Sequence, residues 1–338
     1  MQVISHNTLA SWLDAIAAEK ALIAPRNVDG VLLYRQVAQA GDIAWDGARP
    51  RLSAKEALFP PTEPLLTIDI QGQQVTLNET FPQGEQVLFG LRPCDARGIQ
   101  ALDALFIDHE PADAYYARRR ANTTLIGLAC QEMGDTCFCT SVGGAPDDPT
   151  GLDLLLSEVD GGFAVTVVTE RGAAIAQALP QKTVPGEPPA PKLKDESPTI
   201  PDTAIWPQVF TEDAWADLSE RCLSCRICAY VCPTCRCFDV RDEASSEGNG
   251  AQQFERVRCW DSCAGEAYRR IAGGHNPRAA KGERLRNRFF CKFYYYPAQY
   301  GPLACTGCGR CIDACPVNID LVEVLGQVAR FATEAVQP

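Results

Sequence analysis

Two stretches of this 338-residue chain repeat one spacing of cysteines, C-x2-C-x2-C-x3-C-P. The first holds Cys222, Cys225, Cys228, Cys232 and Pro233; the second holds Cys305, Cys308, Cys311, Cys315 and Pro316. Three thiolates at this interval converge only if the backbone between them closes into a tight loop. Each run therefore dictates a local fold before any packing is considered. The fourth cysteine opens a following helix and reaches across to the other centre. The spacing predicts two [4Fe–4S] cubanes with exchanged fourth ligands. Cluster I takes Cys222, Cys225, Cys228 and Cys315, and cluster II takes Cys305, Cys308, Cys311 and Cys232. Zinc also accepts four cysteines, but two complete copies ending in Cys-Pro fit the cubane pattern. Centres paired in this way pass single electrons.

Seventeen cysteines are too many for an average intracellular protein and too few for a miniature disulfide scaffold. With 46% hydrophobic residues the chain can build ordinary cores without staples. The opening segment MQVISHNTLASWLDAIAAEK lacks a basic start, and Asp14 stands where a signal peptide is apolar. No run approaches the roughly 18 apolar residues that span a bilayer. Clustered cysteines in a reducing compartment read as metal thiolates. The expectation is a cytoplasmic protein of about two domains, with no membrane segment.

The net charge of −12 is unevenly placed. Residues 1–207 carry 15 Lys/Arg against 27 Asp/Glu, whereas residues 208–338 carry 16 of each. An acidic first half argues against nucleic acid as a partner, since phosphate binding needs a basic footprint. One stretch departs from this, RAAKGERLRNRFFCK at 278–292, with six basic residues and one acidic. It has two readings: compensation for negatively charged thiolate clusters, or a docking surface for an acidic partner subunit.

Eight prolines fall between Pro180 and Pro207. Such a segment cannot sustain a helix or an inner strand and reads as an extended connector. Before it, Leu9, Trp12, Leu13 and Ile16 recur at helical spacing. Short apolar runs at 31–34, 65–70, 87–91, 124–130, 152–156 and 164–168 read as buried strands. Helical segments follow two of them, at 95–105 with Asp95 as N-cap and at 170–179. The expected architecture is an α/β N-terminal domain (1–180) with a partly parallel sheet. A Pro-rich linker (181–207) joins it to an α+β dicluster ferredoxin-like domain (208–338), out of which an insertion (238–304) loops. No GxGxxG or GxxxxGK[ST] motif marks a nucleotide site.

Nine cysteines remain. Cys94 and Cys130 follow two strands, and Cys137 and Cys139 come shortly after the second. Loops after strand ends gather along one edge of an α/β sheet. These four are either reduced, buried thiols used as small hydrophobes or the ligands of a third cubane. Cys235 and Cys237 stand directly behind the first run, and Cys263 and Cys291 lie in the insertion. They make a candidate fourth quartet, with structural thiols as the alternative, and only Cys259 stays unassigned. His6, His109 and His275 show no metal spacing. The aromatic run at 293–297 reads as core or interface packing, and PDDPTG at 146–151 as a turn.

Taken together, these motifs resemble one known family. "LFPPTEPL", "FGLRPCDARG", "DAYYARRR", "TCFCTS", "CLSCRICAYVCPTCRCFDV", "WDSC", "GGHNPR", "RNRFFCK" and "CTGCGRCIDACPVNID" are similar to the beta, iron–sulfur subunit of cytoplasmic sulfhydrogenases, the NAD(P)-linked [NiFe] hydrogenases. They are also similar to the A subunit of anaerobic sulfite reductases. The resemblance implies that Cys94, Cys137 and Cys139 belong to a shared metal-binding pattern, as do Cys235, Cys237, Cys263 and Cys291. It further implies an electron-transfer subunit without a substrate of its own, working between a flavin/NAD(P)-binding subunit and a catalytic redox subunit. No flavin is expected in this chain. The other reading from the residues is a self-contained flavin-binding iron–sulfur oxidoreductase.

Overall fold

The computed structural model describes residues 1–180, 182–195, 197–211, 213–248 and 251–334. Twelve strands form two sheets among these residues. They are β1 (Gln2–Ser5), β2 (Ala21–Val28), β3 (Val31–Val37), β4 (Thr62–Gln71), β5 (Gln74–Glu79), β6 (Gln86–Leu91), β7 (Thr123–Leu128), β8 (Leu154–Val159), β9 (Gly162–Val167), β10 (Lys182–Thr183), β11 (Phe238–Gly248) and β12 (Ala251–Trp260). The larger sheet has the order β10-β1-β9-β8-β7-β6-β2-β3. Its centre, β2-β6-β7-β8, is parallel, and its flanks are antiparallel.

Side chains alternate across this sheet as a two-residue period requires. Val87 and Phe89 of β6 face the helix α1 (His6–Glu19), whose Leu9, Trp12, Leu13 and Ile16 are the buried stripe expected from the sequence. Leu88 and, past the irregularity at Gly90 that shifts the register, Leu91 face α2 (Pro93–Phe106) and α3 (Ala114–Ala121) through Ile99, Leu102, Phe106 and Tyr116. Ser5 caps α1 by accepting from the Thr8 amide at 3.2 Å. The expected cap of α2 is corrected. Arg92 occupies the N-cap position and Pro93 the first turn, where its missing N–H costs nothing. Asp95 lies one turn in and is needed elsewhere. After β8 and β9, α4 (Glu170–Ala176) starts on Thr169, whose hydroxyl accepts from the Gly172 amide.

The second sheet was not foreseen. Its order is β11-β12-β4-β5, so a hairpin from the 238–304 segment pairs with a hairpin from before the Pro-rich stretch. Thr62 stands opposite Cys259 and Gln71 opposite Ala251. The segment does not loop out freely, because its first third completes a sheet with β4 and β5. A buried ion-pair network sits at this seam: Glu63 joins Arg258 and Arg119, and Arg258 also reaches Asp113. Cys259, unassigned from the sequence, is a buried strand residue whose Sγ donates to Thr62 Oγ1 at 3.8 Å.

The Pro-rich stretch is largely irregular, yet it follows the surface of the first half. Lys192 bridges Glu132, and Lys194 Nζ donates to the Asp135 carbonyl and, at 3.0 Å, to that of Cys137. The remaining helices are α5 (Ala214–Ser219), α6 (Ile227–Tyr230), α7 (Lys281–Phe290), α8 (Tyr296–Tyr300), α9 (Arg310–Asp313) and α10 (Leu321–Glu334). A π-helical turn, Cys291–Tyr295, links α7 to α8. Trp206, Trp215, Phe289, Phe290 and Phe293 make their core with Leu325 and Val328. The Trp206 and Phe293 rings stack at 5.5 Å, so the aromatic run at 293–297 packs in the core as expected, with Tyr295 left exposed.

Candidate metal centres

The two cysteine runs fold alike, residue for residue. In the second, Gly307 and Gly309 take left-handed φ values of 63° and 72°; in the first, the equivalent Ser224 and Arg226 take 53° and 67°. These paired reversals curl each loop so that its three thiols turn inward, and α6 and α9 begin immediately after them. All seventeen cysteines are free thiols.

Cys222, Cys225, Cys228 and Cys315 line one cavity of about 50 Å³, together with Cys311. Cys315 and Cys311 of the other run thus both lie beside the three thiols of the first. Backbone amides aim at these sulfurs: Ser224 N donates to Cys222 Sγ at 3.4 Å and Ile319 N to Cys315 Sγ at 3.2 Å. The second set is also mutual. Burial pushes the Cys311 thiol up to about 12, with Arg288 opposing and Cys232, Cys308 and Cys305 adding their charge. Cys305 rises to about 11, again through burial, with Cys232 and Cys308 among its neighbours.

Cys94 and Cys130 leave the C-terminal ends of the parallel neighbours β6 and β7. With Cys137 and Cys139 they line a cavity of about 560 Å³. Cys139 is raised to about 11 by burial and then by Cys137 and Cys130. The two loops converge as strand order predicts, and the cavity opens to solvent past Trp45. On its inner side Cys308 joins the lining. There the second cysteine run packs directly on the 137–139 loop, with Phe138 N donating to the Gly307 carbonyl at 2.8 Å.

Of the candidate fourth quartet, three thiols come together. A hydrogen bond from the Cys263 thiol lowers Cys237 to about 5, with the Tyr268 hydroxyl assisting against burial. Cys235 is a further neighbour of Cys263. Cys291 stands apart from this exchange, and Arg236 Nη2 donates to its Sγ at 3.9 Å. Cys235 also touches the second set, since its thiol hydrogen-bonds Cys232 and holds it well below the ordinary thiol range.

Several residues that serve these sites went unassigned in the sequence. Arg288 Nη1 reaches Cys235 Sγ at 3.5 Å and its Nη2 reaches the Cys228 carbonyl at 2.9 Å. Lys292 Nζ donates to Cys232 Sγ at 3.1 Å, Thr234 Oγ1 at 2.9 Å and the Ala304 carbonyl at 3.0 Å. Lys55 Nζ donates to the Ala229 and Cys235 carbonyls and lies over the Trp260 ring. All three are at most 5% exposed, and among the described residues none forms an ion pair with a carboxylate. Burial works to discharge Lys292, and Cys232 and Cys235 outweigh it, holding the ammonium above its ordinary range. A buried cation with no counter-charge is costly, and thiolates around an iron–sulfur group would supply that charge. The donor set and its surroundings fit the cubanes.

The same positions divide the basic stretch at 278–292 into buried and surface charges. Arg284, Arg288 and Lys292 are buried, at 6%, 5% and 3% exposure, and point toward the cysteine runs. Arg286 is held by the Phe210 carbonyl and ring. The three buried cations support the compensation reading, whereas Lys281 is exposed and Arg278 and Arg286 are partly exposed. The i, i+4, i+8 spacing of 284, 288 and 292 was the available signal, since it places the three on one face.

Asp95 carries the last link. It ion-pairs with Arg310, between Cys308 and Cys311, at 2.8 Å, and both side chains are at most 2% exposed. Tyr34 donates to Asp95 at 3.0 Å. The residue after Cys94 thus grips the loop of the second run. Among the described residues, no helix is long and apolar enough to cross a membrane.

Comparison with known proteins agrees with this arrangement. Residues 221–319 match the 4Fe-4S dicluster domain. The chain is 33% identical over 313 residues to the Sulfhydrogenase 2 subunit beta of Pyrococcus furiosus, covering 87% of this chain and 88% of that protein. No solved structure matches it. With two cysteine runs in a dicluster domain and similarity along most of its length, the chain belongs to the family of sulfhydrogenase beta subunits.

Proposed function

We propose that this chain is an electron-transfer subunit that relays electrons between a flavin/NAD(P)-handling subunit and a catalytic subunit such as a [NiFe] hydrogenase. The observation that carries the proposal is the contiguity of the thiol sets. The set at Cys94, Cys130, Cys137 and Cys139 opens to solvent and meets the second set through Phe138 and Gly307. The second set faces the first through Cys232 and Cys228, and Cys225 of the first set is exposed on the surface. When bound, each [4Fe–4S] group takes up and releases one electron at a time.

The chain's residues do the rest. The left-handed loop positions turn thiols inward, the Asp95–Arg310 pair locks the third set against the second, and the aromatic core around Trp206 excludes water behind them. Clusters I and II keep the crossed ligands assigned above. Cys94, Cys130, Cys137 and Cys139 hold a third cluster, and Cys235, Cys237, Cys263 and Cys291 a fourth. The subunit works in the cytoplasm and binds no flavin itself.

The test is anaerobic purification of the full chain, with iron, sulfide and flavin measured together. Iron and sulfide without flavin are expected, and stoichiometric flavin would replace the relay by a self-contained flavoenzyme. In the same material Cys315→Ala should abolish the EPR signal of the centre held by Cys222, Cys225 and Cys228. If it damages the centre of Cys305, Cys308 and Cys311 instead, the ligands are not crossed.

A further inference from the structure

Positive charge is distributed unequally over the four thiol sets. At the third, Arg49 donates to Cys137 Sγ at 3.2 Å but also ion-pairs with Asp313, so a carboxylate answers its charge. Beside the first, Arg226 pairs with Asp261 and Arg221 with Glu323, while the buried Arg284 and Arg288 reach Ser224 Oγ and the Cys228 carbonyl and no sulfur of that set. Around Cys232 the arrangement is different. The Lys292 ammonium is buried, spends its three donors on Cys232, Thr234 and Ala304, and has no carboxylate partner among the described residues.

The π-helical turn explains how a lysine is held there. In it the Tyr296 amide bonds to the Cys291 carbonyl, which releases the Lys292 carbonyl from the helix ladder. The Ala304 amide takes up that carbonyl at 3.0 Å, while Lys292 Nζ holds the Ala304 carbonyl. Lys292 is thereby fixed at both ends against the residue that precedes Cys305. π-Turns of this kind are frequent at functional sites.

We infer that Lys292 sets the reduction potential of the centre that includes Cys232 and makes it the electron-holding centre of the chain. The inference rests on the reading of Cys232, Cys305, Cys308 and Cys311 as one [4Fe–4S] site. One electron arrives from a one-electron donor centre in a partner subunit, which is oxidised, and the same electron later leaves to reduce an acceptor centre. No bond is made or broken, and Lys292 keeps its proton throughout. The arriving electron adds one negative charge beside Cys232. A fixed cation in a water-poor interior stabilises that charge far more than a surface cation does. Net charge and hydrogen bonds to sulfur are among the factors that place such potentials. Arg288, bound to Cys235 Sγ and the Cys228 carbonyl, adds a second buried charge that the first and second sets share. Arg284 and Arg288 at the first set and Arg92 at the third are buried as well, but none donates to a sulfur of its set, and these two sets then lie lower in potential.

An EPR-monitored redox titration of the anaerobic full chain tests this in wild type, Lys292→Met and Lys292→Arg. One centre in Lys292→Met should become at least tenfold harder to reduce, about 59 mV for a one-electron couple. Iron content should be unchanged, the other midpoints should hold, and Lys292→Arg should stay close to wild type. The centre that shifts should be the one with the highest midpoint in wild type. An unshifted midpoint with full iron overturns the inference, as does a shift confined to a low-potential centre. Loss of iron in Lys292→Met also overturns it, by making Lys292 a structural residue. Failure of the underlying site reading has a separate signature, which is unchanged iron content in Cys305→Ser.

Discussion

At the scale of single residues, the two cysteine runs differ in one instructive way. Both need left-handed backbone at two positions, yet only the second uses glycine there. A Cβ on Gly307 would stand 2.5 Å from the Phe138 carbonyl, so the glycine serves docking of the 137–139 loop as well as the turn. Ser224 and Arg226 adopt the same conformation in a loop where Arg226 reaches out to Asp261. Gly72, in the β4–β5 turn, provides the control, with φ of 62° and nothing within 4 Å of its missing Cβ. Gly72→Ala should cost only the left-handed penalty, about 1–2 kcal/mol. Gly307→Ala should cost clearly more and lower the iron content. Thermal unfolding of both variants under anaerobic conditions measures this, and equal shifts would mean that the contact of Gly307 with Phe138 is unimportant. The loops were legible from sequence because cysteine spacing is local. The partner of Gly307 was not, since it lies about 170 residues away in the chain.

Among the elements, legibility followed the same division. The α1 stripe, the strands β6 to β9 and the gathering of Cys94 and Cys130 at one sheet edge follow from periodicity and from the parallel order of neighbouring strands. The pairing of β12 with β4 has no such signal, because nothing in either hairpin names its partner. What fixes this pairing is side-chain chemistry at the seam. Glu63, 3% exposed, holds Arg258 and Arg119 at once. Glu63→Gln would leave Arg258, also 3% exposed, with only the Asp113 carboxylate. Breaking one side of a buried pair costs about 3–5 kcal/mol. The expected result is a loss near the lower end of that range in chemical unfolding, with faster proteolysis within 238–260. A variant as stable and as resistant as wild type would show that main-chain pairing alone secures the hairpin.

For the whole molecule, the thiol sets neighbour one another in turn from an open cavity to an exposed cysteine, and Cys235, a neighbour of Cys263, meets the middle set at Cys232. Their place explains the segment between the two cysteine runs. That segment brings β12 to the first half of the chain and then delivers Cys263 to a pair, Cys235 and Cys237, left directly behind the first run. Cys291 begins the π-turn that frees the Lys292 carbonyl, and Arg236 donates to Cys291 and is also a charged neighbour of Cys237. If these four cysteines hold a cluster, the site joins three separate stretches of chain and cannot exist before they fold together. Replacing Cys263 and Cys291 together by serine should then remove about four irons per chain, the content of one cubane. The EPR signals of clusters I and II should persist, and residues 238–304 should become sensitive to protease. Arg236 donates to Cys291 Sγ but supplies no ligand, so Arg236→Ala should retain the iron. Unchanged iron and unchanged proteolysis in the double variant would reduce Cys237 and Cys263 to a hydrogen-bonded thiol pair that packs the segment against the core.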